Sequence, residues 1–405
     1  MQARIVRVTI RNYKSIAQCA VALHPLTVLV GPNGAGKSNF IDALRFVADS
    51  LNTTIEQALR DRGGIASVRR ISRGHPRHFG LQVEVVFPDQ AHATYAFQIG
   101  AEPNGGFSVQ REVCRIAGIM QREEFFEIED GTLVRSSCAI PAAIERDRLG
   151  LVAISGLSEF RPVYDSLRGM TFFSLNPERI RDLQDPDPGQ ALARDGRNLA
   201  ALIRELARFD GGRVLHEISE HLAAIAPGIV AVEHKSIGPK ETIEFRQQVA
   251  GDDSPWRFLA ANMSDGTLRA LGILVAVFQA TAHARKRISL VGIEEPEIAL
   301  HPGAVQVLGS AIVRASHDVQ VLATTHSPEL LDHKDLGDQS LYAVSVDKGD
   351  TIIGPVSAAV RSAIRDRLYS VGDLLRMGQI EPDRDAAEAD WRQSRLFGGP
   401  PDEQT

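Results

Sequence analysis

The chain carries only three cysteines in 405 residues, Cys19, Cys114 and Cys138. They are widely spaced and form no CxxC pair, which argues against a disulfide framework and against a zinc ribbon. They read as small buried apolar side chains in a reducing compartment. Long hydrophobic runs are missing as well. The longest, such as Leu271 to Phe278, falls far short of the ~20 residues a bilayer-spanning helix needs. The opening MQARIVRVTIRNYKSI is interrupted by charges before any apolar run develops, so it does not read as a signal peptide. There is no excess of positive charge: 45 Lys and Arg against 51 Asp and Glu leave a net charge of −6. A wholly basic nucleic-acid coat is thereby excluded, although a local basic patch is not. No internal repeat and no extended heptad run is present. What remains is a globular mixture, 43% hydrophobic and 24% charged, long enough for roughly two to three domains. The expected setting is cytoplasmic, with no membrane segment.

Val6, Val8 and Ile10 alternate against Arg7, Thr9 and Arg11, the period of a half-buried strand. Leu26 to Val30 is continuously apolar, as a strand buried on both faces would be. A glycine-rich turn follows, then a helix with Phe40, Leu44 and Val47 on one stripe. From about Leu81 to Arg135 the pattern alternates in twos, with Asp130-Gly131 as a hairpin turn. Residues 140 to 255 read as mostly helical with loops. DPDPG at 185 to 189 breaks them, and Asp195 is placed to cap the helix through Leu199, Ile203 and Leu206. Beyond 256, a helix over Leu268 to Ala280, a strand over Ile288 to Ile293, a helix over Pro302 to Ser316 and a strand over Val319 to Thr324 imply a parallel sheet with helices packed on it. The division expected is a lobe over 1–160 with an antiparallel β subdomain, a helical insertion over 161–255, a second lobe over 256–346, a helical appendage over 347–397 and a frayed tail over 398–405.

Gly31-Pro32-Asn33-Gly34-Ala35-Gly36-Lys37-Ser38 fits GxxxxGK[ST] and lies between a strand and a helix, where a phosphate loop must lie. Glycines let backbone N–H groups approach an anion, and the helix N-terminus adds its positive dipole end. Lys37 is expected on the β- and γ-phosphates of ATP, and the Ser38 hydroxyl on Mg²⁺. In ISLVGIEEPEIALHP, Glu294 and Glu295 stand at the C-terminal end of a buried strand, where parallel sheets put ligands. Glu294 is read as a metal ligand and Glu295 as the group that orients and deprotonates water. The bland alternative is a solvated helix start, with Glu297 as a first-turn acid. His326 follows another buried strand and could meet the γ-phosphate if the two strands are neighbours. Asn262 to Leu268 brings Ser264, Asp265 and Gly266 to a helix start, which alone reads as an ordinary cap.

IRNYKSI, GPNGAGKS, MSDGTLR, EEPEIALHP and TTHS occur in the order found in ABC-type ATPase heads. Over roughly residues 1 to 346 the chain resembles the RecF, SMC and OLD (overcoming lysogenisation defect) group of DNA-associated ATPases. The resemblance implies an α/β P-loop NTPase of ABC type: a mixed or parallel sheet core, an antiparallel β lobe and a helical insertion. It implies that MSDGTLR is the signature loop, with Ser264 and Gly266 on the γ-phosphate of the opposite subunit. It makes Glu295 the catalytic base and His326 the switch histidine, and places LHP at Leu300 to Pro302 as the D-loop. Asn39 and Asp265 join the nucleotide-contact candidates, and FFSLNPERIR at 172 to 181 is the candidate Q-loop. Glu294 departs from the family's usual aspartate, although EEPE is OLD-like. Two such heads would sandwich two ATP molecules as a homodimer or a larger oligomer.

Leu59 to Phe79 holds Arg60, Arg62, Arg69, Arg70, Arg73 and Arg77 against Asp61 alone. Such arginines can hold double-stranded DNA by its phosphates. Arg69, Arg70 and Arg73 are the candidates, with a solvated loop as the plain alternative. No acidic nuclease module follows His326, so a separate effector, a nuclease or toxin, is the expected partner in bacterial anti-phage defence or DNA repair. The rivals are a transporter nucleotide-binding subunit and an ATP-binding scaffold without turnover. Against the transporter, Lys37 and Ser264 lie 264 − 37 = 227 positions apart.

Overall fold

The chain from Arg4 to Tyr13 forms strand β1, with Val8, Thr9 and Ile10 buried in succession, and six residues of it pair antiparallel with β2, Ile16–Ala22. The computed structural model describes all residues except 1–2, 72–75, 104, 120–121, 141–143, 283–287, 334–335 and 395–405. Arg73 and the tail over 398–405 therefore lie outside the described residues. Two compact units emerge. One comprises the chain up to Met170, residues 338–366 and the chain from 379; the other comprises 171–337 and 367–378.

In the first unit, β3 (Leu26–Val30) is buried at all five positions, as its unbroken apolar run predicts. Helix α1 (Lys37–Asn52) follows and buries Phe40, Leu44 and Val47 together. Short helices α2 (Ile55–Arg60) and α3 (Ile65–Val68) lead to β4 (His78–Val86), β5 (His92–Ala101), β6 (Phe107–Ile119), β7 (Arg122–Glu129) and β8 (Thr132–Ser136). These form a seven-stranded sheet in the order β2-β1-β4-β5-β6-β7-β8, antiparallel throughout. Asp130 and Gly131 both take positive φ, 46° and 77°, as a two-residue hairpin requires. Tyr13, Phe46, Phe79 and Phe97 lock α1 onto this sheet, with ring centroids 5.4 to 6.3 Å apart. Helices α4 (Gly150–Ile154) and α5 (Arg161–Arg168) close the segment.

The second unit opens with β9 (Met170–Phe173), α6 (Pro177–Arg181), α7 (Leu199–Arg208) and α8 (Arg213–Ile225). The region over 161–255 then departs from its helical reading. β10 (Ile229–Ile237), β11 (Lys240–Gln247) and β12 (Trp256–Leu259) make a three-stranded antiparallel sheet. Alternation was present in IVAVEHKSI and KETIEFRQ, and Gly238-Pro239 breaks them as a turn would, but their charges hide it. Asp195 does not cap α7: Asn198 holds that position, and Asp195 Oδ1 accepts from the N–H of Arg197 at 3.2 Å inside the preceding turn. Helix α9 (Asp265–Ala282), β13 (Leu290–Glu294), α10 (Pro302–Ser316), β14 (Gln320–Thr325) and α11 (Pro328–Leu331) complete the run. β13 and β14 are parallel neighbours.

The chain then returns to the first unit. β15 (Leu341–Asp347) runs parallel to β3, and β16 (Asp350–Pro355) pairs antiparallel with β15. Helix α12 (Ala358–Arg365) belongs there too, α13 (Val371–Arg376) lies in the second unit, and α14 (Arg384–Gln393) packs on β2 and β16. The stretch over 347–397 is thus no separate helical appendage. It holds the strand β16, and its helices fall in both units.

Candidate functional site

The glycine loop leaves the end of buried β3 and enters α1 through Gly36. Gly34 and Gly36 take φ of 78° and 103°, a conformation that side-chained residues adopt at a cost. A Cβ on Gly36 would lie 2.1 Å from Thr351 Oγ1 of β16, and one on Gly31 would lie 2.1 Å from the Val344 carbonyl of β15. Gly36 caps α1 without any side-chain hydrogen bond, which leaves the helix N-terminus to a ligand. Lys37 is buried, and its Nζ donates to the carbonyls of Gly31 at 2.7 Å and Pro32 at 3.0 Å. A phosphate oxygen, which carries charge, can replace these neutral carbonyls as the acceptor of the Lys37 ammonium. Pro32, Asn33, Gly34 and Ser38 face solvent, and Ala35 is buried. The Asn39 side chain turns away from the loop and donates to Ser15 Oγ at 2.6 Å.

A charge cluster that the sequence reading missed fixes α1. Asp42 accepts from Tyr13 Oη at 2.8 Å and Arg62 Nε at 3.0 Å, and it pairs with Lys14 and Arg45, both at 2.6 Å. Burial disfavours the Asp42 carboxylate, but Arg62, Arg45 and Lys14 outweigh it and hold its pKa below the usual value. Helical spacing from Ser38 to Asp42 and the basic IRNYK turn were the available signals.

In the second unit Glu294 ends β13, Glu295 follows it, and His326 follows β14. Because β13 and β14 are neighbours, the two strand ends meet: His326 Nδ1 lies 3.4 Å from Glu295 Oε1. Glu295 takes a positive φ of 46°. Its N–H donates to the carbonyl of Thr324 at 3.0 Å, and its carbonyl accepts from Arg269 Nη2 at 3.2 Å. Glu297 is not a first-turn helix acid. It is buried, and its Oε1 accepts from Thr325 Oγ1 at 2.7 Å and from the His326 N–H at 3.1 Å. It therefore anchors the backbone that carries His326. The Ser38 hydroxyl of the first unit and the Glu294 carboxylate of the second are each hard oxygen donors of the kind that Mg²⁺ takes.

Ser264 Oγ accepts from the Thr267 N–H at 3.2 Å, the cap that its position predicts. Ser264 and Asp265 are exposed, whereas Gly266 is buried; a Cβ there would lie 2.4 Å from the Ala299 carbonyl in the LHP-bearing loop. Arg181, at the end of the FFSLNPERIR stretch, donates to the Met263 carbonyl at 3.1 Å and pairs with Asp265. Asp265 is thus engaged from within its own unit.

The arginine segment proves less free than its composition implies. Arg62 is 2% exposed and serves Asp42 and Asp49. Arg60 pairs with Glu56, and Arg70 makes a two-pronged contact with Asp350. Arg69 donates to the Pro76 carbonyl at 3.4 Å, and Arg77 is exposed. Arg70, one of the DNA-binding candidates, is thus paired with Asp350 in this structure.

Comparison with known proteins extends the geometry. A family model described as an AAA ATPase domain matches residues 4–95, and one described as an AAA domain of the AbiEii, type IV TA system matches residues 151–332. The chain is 23% identical over 360 residues to the Old nuclease of Escherichia phage P2, covering 82% of this chain and 58% of that protein. It is 26% identical over 166 residues to the chromosome partition protein Smc of Mycoplasma pneumoniae, 39% of this chain and 16% of that one. The chain therefore spans less than two thirds of either relative. Among solved structures, an Smc head bound to the C-winged helix domain of ScpA superposes with a TM-score of 0.53 at 14% identity, over 89% of this chain and 99% of that one. The Pyrococcus furiosus Smc head with an extended coiled coil gives 0.50 at 15% identity, over 90% and 99%. At such identities the likeness is one of fold. Among the described residues no helix is long and apolar enough to cross a membrane.

Proposed function

We propose that this chain, an ABC-type ATPase head of the RecF, SMC and OLD group, works as an ATP-driven switch that closes two copies around nucleotide. The observation that carries the reading is the Gly31–Ser38 loop, entered from a fully buried strand and left through an uncapped helix, with Lys37 parked on carbonyls of its own loop. Backbone N–H groups of residues 33 to 38 bind the phosphates, and Lys37 moves from Gly31 and Pro32 to the β- and γ-oxygens. Ser38 and Glu294 are assigned to Mg²⁺, which when bound would neutralise the charge that develops on the transferred phosphoryl group. Glu295 orients the attacking water and takes its proton. His326, steered by Glu297, holds the γ-phosphate side of the site through its imidazole.

Ser264 and Gly266 are assigned to the γ-phosphate held by a second copy. The exposure of Ser264 and its helix-start position support this, since a serine turn that faces solvent is free to meet a partner. Hydrolysis then reports dimerisation, and ATP binding biases a shape equilibrium. We assign the output to DNA or to a nuclease- or toxin-like effector in bacterial defence or repair. The likeness to the Old nuclease and to an AAA domain of a toxin–antitoxin description supports that choice.

The test is steady-state ATP hydrolysis on wild type, Lys37→Ala and Glu295→Gln. The reading predicts magnesium-dependent turnover that both substitutions abolish, with nucleotide binding lost only in the first. Equal turnover in wild type and Glu295→Gln would reject it in favour of a scaffold.

A further inference from the structure

Arg269 lies five residues into α9 and is the arginine of MSDGTLR, three residues beyond Gly266. Its guanidinium reaches three backbone carbonyls. Nη1 donates to Leu175 at 3.1 Å, while Nη2 donates to Glu294 at 3.3 Å and to Glu295 at 3.2 Å. Leu175 belongs to the FFSLNPERIR stretch, and the other two carbonyls belong to the acidic strand end. One planar fork therefore ties α9 to one segment 94 positions before Arg269 and another 25 positions after it.

Glu295 makes this contact more than a staple. At φ 46° it sits in a left-handed conformation that side-chained residues rarely adopt and that persists only where the surroundings over-determine it. Its N–H donates to the carbonyl and Oγ1 of Thr324, and its carbonyl accepts from the N–H of Ile298 and from Arg269, the one side chain that reaches that oxygen among these contacts. The φ value sets the direction of the Cα–Cβ bond and hence where the carboxylate points. Burial pulls the Arg269 pKa below the usual arginine value, against the charges of Glu297 and Glu295. An arginine kept in so desolvated a place, with carbonyls rather than a carboxylate in its grip, is poorly explained by stability alone.

We propose that Arg269 is the positioning residue of the acidic strand end: it fixes the backbone of Glu294 and Glu295, sets the aim of the Glu295 carboxylate, and ties that aim to the helix that presents Ser264 and Gly266. This deepens the assignment of Glu295 as the base and rests on it. A shift of the serine turn against a second copy's nucleotide moves α9, and through Arg269 the peptide of the base. The serine turn and the base then respond to a partner together.

The experiment uses the full chain with Arg269→Lys and Arg269→Met, beside Glu295→Gln. ATP hydrolysis, ATP affinity by direct titration and thermal midpoint are read for each. Lysine keeps the charge but lacks the planar fork, so Arg269→Lys should keep the wild-type melting temperature and ATP affinity and lose kcat by ~10- to 100-fold at unchanged KM, as a mis-set base does. Arg269→Met should lose at least as much. Wild-type kcat in Arg269→Lys overturns the proposal, as does a loss of kcat that only follows a loss of ATP affinity or of folded protein. If Arg269→Met fails to fold, Arg269→Lys alone decides. If Glu295→Gln turns over normally, the base assignment has failed; if it is inactive while Arg269→Lys is normal, only the present inference has failed.

Discussion

Thr351 Oγ1 donates to the carbonyl oxygen of Ala35 at 2.9 Å, across 316 positions of sequence. The same hydroxyl lies 2.6 Å from Ser15 Oγ, which in turn accepts from Asn39 at 2.6 Å. The phosphate loop is therefore shaped from outside by the β16 strand and by the β1–β2 turn, not by its glycines alone.

Thr351→Val removes that hydroxyl and leaves a buried carbonyl without its donor, a loss of about 1–3 kcal/mol. The expected outcome is ATP affinity weakened by ~5-fold or more, by that same arithmetic, with the fold retained. Nucleotide titration checks it, and unchanged affinity would show that the loop holds its own shape. Gly36→Ala should be more severe, because its Cβ would fall 2.1 Å from Thr351 Oγ1 at a φ of 103°.

Lys37→Ala removes the one buried cation of the loop, whose Nζ rests 2.7 Å from the Gly31 carbonyl. Nucleotide binding should disappear while the melting temperature in the absence of nucleotide changes little, since the contacts that Nζ gives up at Gly31 and Pro32 are to carbonyls of the loop itself. Fluorescent-nucleotide titration and thermal unfolding read the two halves of that statement separately.

Much of the site is legible in the sequence because it is local. β3, the glycine loop and α1 are contiguous, and the apolar runs before Glu294 and His326 mark buried parallel strands directly. What escaped depends on distant partners. Nothing near residue 351 announces contact with Ala35, and Glu297 looks like a helix acid until Thr325 and His326 are seen on it. The β10–β12 sheet escaped because its half-buried positions are filled by charges, such as Glu233 with Arg246 and Lys235 with Glu244, that pair across strands. The acidic partners of the arginine segment, Asp42 and Asp49 on α1 and Asp350 on β16, lie outside it, so its own composition does not show them.

Arg70 is held by Asp350, so the two residues make opposite predictions for double-stranded DNA. A doubly reversed Arg69→Glu, Arg70→Glu chain should bind DNA more weakly, with a shallower dependence on salt. Asp350→Asn should free Arg70 and bind more tightly. Fluorescence anisotropy at two salt concentrations measures both; identical binding in all three proteins would remove this segment from any role with DNA.

Glu112 is fully buried on β6, where it accepts from Tyr95 Oη at 2.8 Å and from the N–H groups of Gly150 at 2.5 Å and Leu151 at 2.9 Å. Burial outweighs these donors and pushes its pKa up to about 7 from 4.5. A folded-state value above the unfolded one means stability that is complete below pH ~4.5 and lost as the pH rises through ~7. Denaturant unfolding from pH 5 to pH 8 should show wild type losing on the order of 3 kcal/mol more than Glu112→Gln across that window. Parallel curves would mean that the carboxyl titrates as it does in the unfolded chain.

The central claim is that one copy's glycine loop and another copy's serine turn hold the same ATP. Sedimentation of Glu295→Gln at saturating ATP and magnesium, alone and with Ser264→Arg added to the same chain, tests it most directly. The account predicts a stable dimer for the first protein and a monomer that still binds ATP for the second. A Glu295→Gln chain that stays monomeric with ATP bound, or a dimer untouched by Ser264→Arg, would contradict it.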